Sequence, residues 1–167
     1  GTGSAEGGLD RPVDRSNLLP ASSLKGLMRA EAAEVLGVRP DLVSAIFGRE
    51  GRAGSWWWGD ARFPPNTVTF GQSARIRVDG DGVVEAGFLA LSEHTWVDRA
   101  TFEVGPSRAL SAVETTRHTT VLRAAARSVT ALGGGRRRGE GWVSIVDDQD
   151  PWTSFDTSLL LGCRRSS

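Results

Sequence analysis

Apolar residues recur at helical spacing near both ends of the chain and at strand spacing between them. Leu24, Leu27, Met28, Ala32 and Val35 share one face of a helix that begins just after Pro20, with Ser22 or Ser23 placed to cap its first free N–H groups. A short helix is expected from about Pro40 to Phe47, since proline suits a first turn and Gly48 a C-terminal one. A further long helix, from Thr119 or Thr120 to Leu132, carries Val121, Leu122, Ala125, Val129 and Leu132 on one face and Arg123 and Arg127 on another, and Gly133 stops it.

The middle reads as sheet. Trp56 to Phe63 opens with three tryptophans, which a strand distributes over both of its faces, and Pro64-Pro65-Asn66 breaks it. These rings serve either as a base-stacking platform or as ordinary core, and core is the expectation. Ala74–Val78, Val83–Leu91, Trp96–Val104 and Arg108–Thr116 are expected strands, the first two joined by a hairpin turn at Asp79-Gly80-Asp81-Gly82. Gly1 to Asp10 is too rich in glycine for a regular element, Pro12 keeps Arg11 extended, and Arg49 to Ser55 is a loop. Gly133 to Gly141 is a glycine-rich loop that leads into a strand from Trp142 to Val146, and 147–167 forms a tail that docks or links.

Two of these stretches suit an anion. Lys25 and Arg29 lie one turn apart at a helix start, beside free N–H groups and two hydroxyls, where a phosphate is the natural guest. Gly26 costs that helix about 1 kcal/mol relative to alanine, which suggests that something approaches the backbone closely there. In the second stretch, glycines such as Gly134 and Gly135 let a loop wrap a phosphate chain that Arg136, Arg137 and Arg138 neutralise, with Gly139 following. The loop lacks the Gly-Lys-Ser/Thr ending of a nucleotide-binding P-loop and the spacing of a dinucleotide fingerprint.

Composition narrows the partners. With 39% hydrophobic residues, 167 residues suffice for a real core, so a disordered chain is excluded. Twenty basic residues against twenty acidic ones leave no net charge, and any surface for nucleic acid must be local. Lys25 is the sole lysine and Cys163 the sole cysteine, which rules out an internal disulfide and a zinc site of several cysteines and suggests a reducing, cytoplasmic setting. No apolar run has membrane-spanning length, no signal peptide is present, and the missing initiator methionine points to a trimmed start.

Leu19-Pro20-Ala21-Ser22-Ser23-Leu24-Lys25-Gly26 with Arg29 resembles the Pro-Gly/Ala-Ser-Ser-Leu-Lys-Gly signature of the RAMP superfamily, the RNA-binding proteins of CRISPR systems. Gly133 to Val143 resembles its C-terminal glycine-rich loop, with Arg136, Arg138 and Gly139 in the Arg-x-Arg-Gly places. Ile46-Phe47-Gly48, Ala53-Gly54 and Asp60-Ala61 are similar to intervening landmarks, so the resemblance is colinear over residues 1 to about 146. It implies an α+β fold, a modified ferredoxin-like (RRM-like) domain over 1–146 with an inserted β-hairpin thumb within Pro64–Thr116, whose first strand is missing here.

Gly7-Gly8-Leu9-Asp10-Arg11-Pro12-Val13 further resembles a loop of the repeated backbone subunit in type III effector complexes. The resemblance implies a guide-RNA-binding subunit that cleaves paired target RNA through Asp10 with a divalent ion, magnesium, alongside other RAMP subunits including copies of itself. Asp14 is expected to be structural. Competing expectations are a capping scaffold without chemistry, a guide-processing endoribonuclease using His94 or His118, and a ferredoxin-like interaction module unrelated to RNA. Both histidines are expected at the surface or in packing roles.

Overall fold

The computed structural model describes residues 13–78, 84–133 and 141–166. Asp10, the turn Asp79-Gly80-Asp81-Gly82 and the loop residues Gly134, Gly135, Arg136, Arg137, Arg138 and Gly139 lie outside the described residues. The fold is α+β, with helices α1 (Ala21–Ala30), α2 (Pro40–Phe47), α3 (Ala112–Ser128) and α4 (Ser154–Gly162). Its strands are β1 (Trp56–Trp58), β2 (Thr69–Val78), β3 (Val84–Trp96) and β4 (Val104–Pro106). The chain divides into two units, Gly1–Pro20 with Asp60–Phe102, and Ala21–Gly59 with Glu103–Ser167.

The first unit is built on the expected hairpin. Strands β2 and β3 pair antiparallel from Thr69↔Trp96 to Val78↔Val84, with an irregularity between Ile76 and Val78. Pairing thus starts five residues before Ala74, where Gly71 and Ser73 carry little strand propensity and the ladder supplies what the side chains do not. Near its base Arg62 and Thr101 exchange backbone hydrogen bonds of 2.7 and 2.9 Å, and the Ala61 N–H donates to Leu19 at 3.1 Å. Of the expected strand Trp96–Val104, the first residue ends β3 and the last begins β4, while the residues between are irregular apart from the Thr101 bridge.

The second unit holds the helical core. Leu24, Met28 and Ala32, then Val38, Leu42, Val43, Ile46 and Phe47, then Val121, Leu122, Ala125 and Val129 are buried together with Cys163. Helix α1 starts at Ala21, so Ser22 and Ser23 lie within its first turn rather than at the cap, where the sequence reading set one of them. It continues through a π-helical turn, Glu31–Val35, in which the Leu36 N–H bonds the Glu31 carbonyl at 2.9 Å. The wider turn rotates later side chains off the α-helical face, and Val35 is 63% exposed instead of buried. Helix α2 has the expected bounds, proline in its first turn included.

Helix α3 begins earlier than the apolar pattern suggests. Arg108–Thr116, read as strand from its threonines, instead contains a capping box in which Ser111 Oγ accepts from the Glu114 N–H and the Glu114 carboxylate accepts from the Ser111 N–H. Thr115 and Thr116 then donate their hydroxyls to the carbonyls of Ser111 and Ala112, at 2.9 and 2.8 Å, so these β-branched residues are accommodated in the helix. The helix ends at Ser128, short of Leu132, where Val129 turns to extended backbone. Trp142–Val146 is no strand: Trp142 forms a single bridge with Ala131, and Val146 is 82% exposed.

Residues 147–166 fold back on this unit. Thr153 and Asp156 form a second capping box at the start of α4, and Arg123 of α3 reaches Asp147 at 3.1 Å and Asp156 at 3.5 Å. Beyond the helix the Arg39 N–H donates to the Cys163 carbonyl at 3.0 Å and the Arg165 N–H to Gly37 at 2.8 Å. Among the described residues no helix is long and apolar enough to cross a membrane.

Candidate nucleic-acid interface

A cleft of about 440 Å³ opens in the second unit, lined by Ser22, Lys25, Gly26, Arg29, Phe47, Gly48, Arg49, Arg52 and Ala53. One wall is the first two turns of α1. Leu24 and Met28 anchor that helix in the core, which leaves Ser22, Lys25, Gly26 and Arg29 on the opposite side to line the opening. Ser23 is exposed in the same turn but does not line the cleft.

The other wall is the segment after α2. Gly48 ends that helix at φ 85°, and a Cβ on it would stand 2.7 Å from the Gly54 amide nitrogen. A Cβ on Gly54 would stand 2.3 Å from the Ile46 carbonyl oxygen, so only glycine allows the two backbones to close the loop. Inside it Arg49 and Arg52 exchange N–H to carbonyl hydrogen bonds, both 2.9 Å, across the two-residue turn Glu50-Gly51. Residues paired in this way carry their side chains on the same side, which sets the two arginines next to each other at the rim.

Four cations therefore converge on a backbone helix end and a glycine. Among the described residues, no carboxylate pairs with Lys25, Arg29, Arg49 or Arg52. Arg123 and Arg127 differ: both are bound to Asp147 and lie 5.4 and 5.1 Å from the Trp152 ring centre, so their charge is spent inside the fold. A cluster of unpaired cations in an open cleft is stable in solvent and gains most from a polyanion whose oxygens accept forked guanidinium hydrogen bonds.

Sequence reasoning found Ser22, Lys25 and Arg29 but left Arg49 and Arg52 in an unremarked loop. The signal was there in Phe47-Gly48 and Ala53-Gly54, whose glycines bracket the turn that presents both arginines. The arginine loop is described only at its base, where the Leu132 N–H donates to Gly141 at 2.8 Å and the Val143 N–H to Thr130 at 3.0 Å.

The tryptophans divide between roles. Trp56 donates its indole N–H to His118 Nδ1 at 3.0 Å, and Trp58 stacks tilted against Phe47 with centroids 5.7 Å apart. Of the three in β1, Trp57 alone stays nearly half exposed, lying across Gly105, where a Cβ would meet its ring nitrogen at 2.6 Å. His118 is 3% exposed with Nδ1 already bonded, and burial pushes its imidazole below its ordinary pKa, so it serves packing and not acid–base chemistry.

In the first unit the carboxylate of Asp14 is occupied. Asp14 Oδ1 accepts from the Ser16 N–H at 2.9 Å, its hydroxyl at 2.6 Å and the Asn17 N–H at 3.3 Å, and these bonds, the Ser16 hydroxyl foremost, hold its pKa below the usual range. Among the described residues no three His, Cys, Asp or Glu side chains converge on a point that could hold a metal ion. Asp10, the residue to which the resemblance ties a divalent ion, lies outside the described residues.

An α+β domain with an open cationic cleft at a helix start, lined by an exposed glycine, has the chemistry to hold a phosphate backbone. The chain matches the family model of the RAMP superfamily over residues 1–144 and belongs to that superfamily. It is accordingly a CRISPR-associated RNA-binding protein. A search of curated proteins returns no match to the chain.

Proposed function

We propose that this chain is the repeated backbone subunit of a type III effector complex, holding guide RNA through its phosphates beside copies of itself and cutting the paired target RNA at Asp10. The observation that carries the reading is the cleft in which Ser22, Lys25 and Arg29 of the signature meet Arg49 and Arg52 around an exposed Gly26. Contacts to phosphate position a strand without reading it, so choice of sequence falls to base pairing between guide and target. Ser23 and the loop Gly134, Gly135, Arg136, Arg137, Arg138 and Gly139 extend the same grip by resemblance.

At the cut, the target's 2′-hydroxyl attacks the adjacent phosphorus and the bond to the 5′-oxygen breaks. The 2′-hydroxyl loses its proton and the departing 5′-oxygen gains one, leaving a cyclic phosphate and a 5′-hydroxyl with no water consumed. Asp10 is the carboxylate assigned to this step. The described residues supply no ligand set for magnesium, and Asp10 lies outside them.

Two measurements test the reading. Binding of single-stranded RNA to the full chain is expected to weaken with salt, each phosphate contact contributing about 0.7 to the slope of log K against log salt. The variant with Lys25, Arg29, Arg49 and Arg52 all changed to alanine is expected to lose about 2 to 3 units of that slope. An unchanged slope would remove the cleft from the interface. In the assembled complex, with magnesium present, Asp10→Ala is expected to bind target RNA but not cut it; cutting at the wild-type rate would reduce the chain to a scaffold.

A further inference from the structure

The middle tryptophan of β1 has a seat of its own. Strand alternation sends Trp56 and Trp58 to the face that meets the helices, where Trp56 bonds His118 of α3 and Trp58 packs on Phe47 of α2, and it sends Trp57 to the other face. Trp57 stands opposite Gly105 of β4, so a side chain at 105 would share that face. The indole fills the place instead: a Cβ on Gly105 would lie 2.6 Å from the ring nitrogen and 2.8 and 2.9 Å from Cε2 and Cζ2. At the far end of the indole, a Cβ on Gly59 would lie 3.7 Å from Cζ3.

Any side chain at 105 would displace this ring, and glycine weakens the strand that carries it. Gly105 is nonetheless buried, whereas Trp57, which covers it, is 45% exposed. Among the described residues no second ring and no guanidinium stacks on Trp57. An indole seated on bare backbone with nearly half its surface open is preorganised for another flat ring, because little side-chain freedom is lost when one binds. For an RNA-binding chain that ring is a nucleobase, and stacking on an indole tolerates any sequence because every base has a π-face.

We propose that Trp57, seated across Gly105 and Gly59, is a stacking site for one unpaired nucleobase of the bound RNA, separate from the cationic cleft. The site goes beyond the phosphate grip and the assignment of Asp10, and requires only that the chain binds RNA. It divides the tryptophan run by role: Trp56 and Trp58 hold the strand to α3 and α2, and Trp57 faces the ligand. An uncharged ring also sets the site apart from the cleft in kind, since it adds affinity without adding salt dependence.

The experiment titrates the full chain with oligouridylate and with an abasic ribose-phosphate oligomer of equal length, over a range of salt. Trp57→Ala is expected to weaken binding of oligouridylate by about 5- to 150-fold and to leave the abasic oligomer and the salt slope as in wild type. Trp57→Phe keeps a π-face and is expected to recover most of the loss, whereas Trp57→Leu, apolar without one, is not. The fourfold alanine variant of the cleft should keep the preference for oligouridylate over the abasic oligomer whether or not its salt slope falls, so the two sites stand or fall separately. Unchanged binding of oligouridylate by Trp57→Ala would overturn the inference, as would an equal loss for both oligomers, which would mean that the ring acts through the fold. Wild-type RNA affinity with failure to enter the effector complex would give the ring to a protein neighbour and overturn it too. Should Trp57→Ala not fold, as read by its melting, Trp57→Leu carries the same comparison against Trp57→Phe, and equal binding of oligouridylate by those two would count against the proposal.

Discussion

Gly26 sits in the middle of α1, exposed, with no atom outside its own helix within 4 Å of where a Cβ would stand. Nothing among the described residues therefore requires glycine there, and alanine would make a better helix by about 1 kcal/mol. The space belongs to the cleft, flanked by Lys25 and Arg29. Gly26→Ala is expected to raise the melting temperature of the chain by a few degrees and to weaken single-stranded RNA binding several-fold, read by thermal melting and by titration at fixed salt. A gain in stability with unchanged affinity would show that no strand comes within a methyl group of this backbone. This residue was legible in the sequence because a glycine in an otherwise well-formed helix start is a local anomaly. Arg49 and Arg52 were not, because their proximity depends on the close approach of Gly48 and Gly54, six residues apart in the chain.

At the scale of elements, α2 and the hairpin were legible because each carries its own terminators, a proline and a glycine in one case and an Asp-Gly turn in the other. Helix α3 was misread at both ends. Its start rests on reciprocal bonds between Ser111 and Glu114, which outweigh the strand preference of Thr115 and Thr116, and its end comes before Leu132 because the chain turns to meet Trp142. This helix also carries His118, whose Nδ1 accepts the Trp56 N–H and thereby joins α3 to β1, while Trp58 of the same strand packs on Phe47 at the cleft. Burial lowers the His118 pKa below its ordinary 6.5, with Glu114 opposing the shift and Arg108 adding to it. Well above pH 6.5 neither folded nor unfolded chain protonates this group, and its contribution to stability is complete. As the pH falls below 6.5, the unfolded chain takes up the proton first, and stability is lost until the pH passes the lower folded value. Melting curves between pH 8 and 5 are expected to show this decline, and His118→Asn, which keeps an acceptor but cannot titrate, is expected to flatten it. An equal decline in His118→Asn would move its origin elsewhere.

For the molecule as a whole, the segment that sequence left without an element completes the core that holds the cleft. Leu159, Leu160 and Leu161 suggest burial by composition, yet α4 buries none of its residues, and it is held by polar bonds from Arg123 that no periodicity reveals. What is buried is Cys163, 1% exposed, beside the backbone bonds to Arg39 and Gly37. Those bonds fix the link between α1 and α2, and so the relative position of the two walls that carry Lys25 and Arg49. Burial also raises the thiol pKa above its ordinary value, so in the folded chain Cys163 is both covered and protonated and therefore a poor nucleophile. Alkylation at pH 8 is expected to be slow in the native chain and fast in denaturant, since reaction requires the terminal segment to detach. Removing residues 147–167 is expected to lower stability by several kcal/mol, the scale at which a buried side chain and a paired charge are lost together, and to weaken RNA binding even though Lys25, Arg29, Arg49 and Arg52 remain. A truncated chain that melts and binds as the full one does would show that the two walls hold their places without it, and the cleft would then owe its geometry to Leu24, Ile46 and Val121 alone.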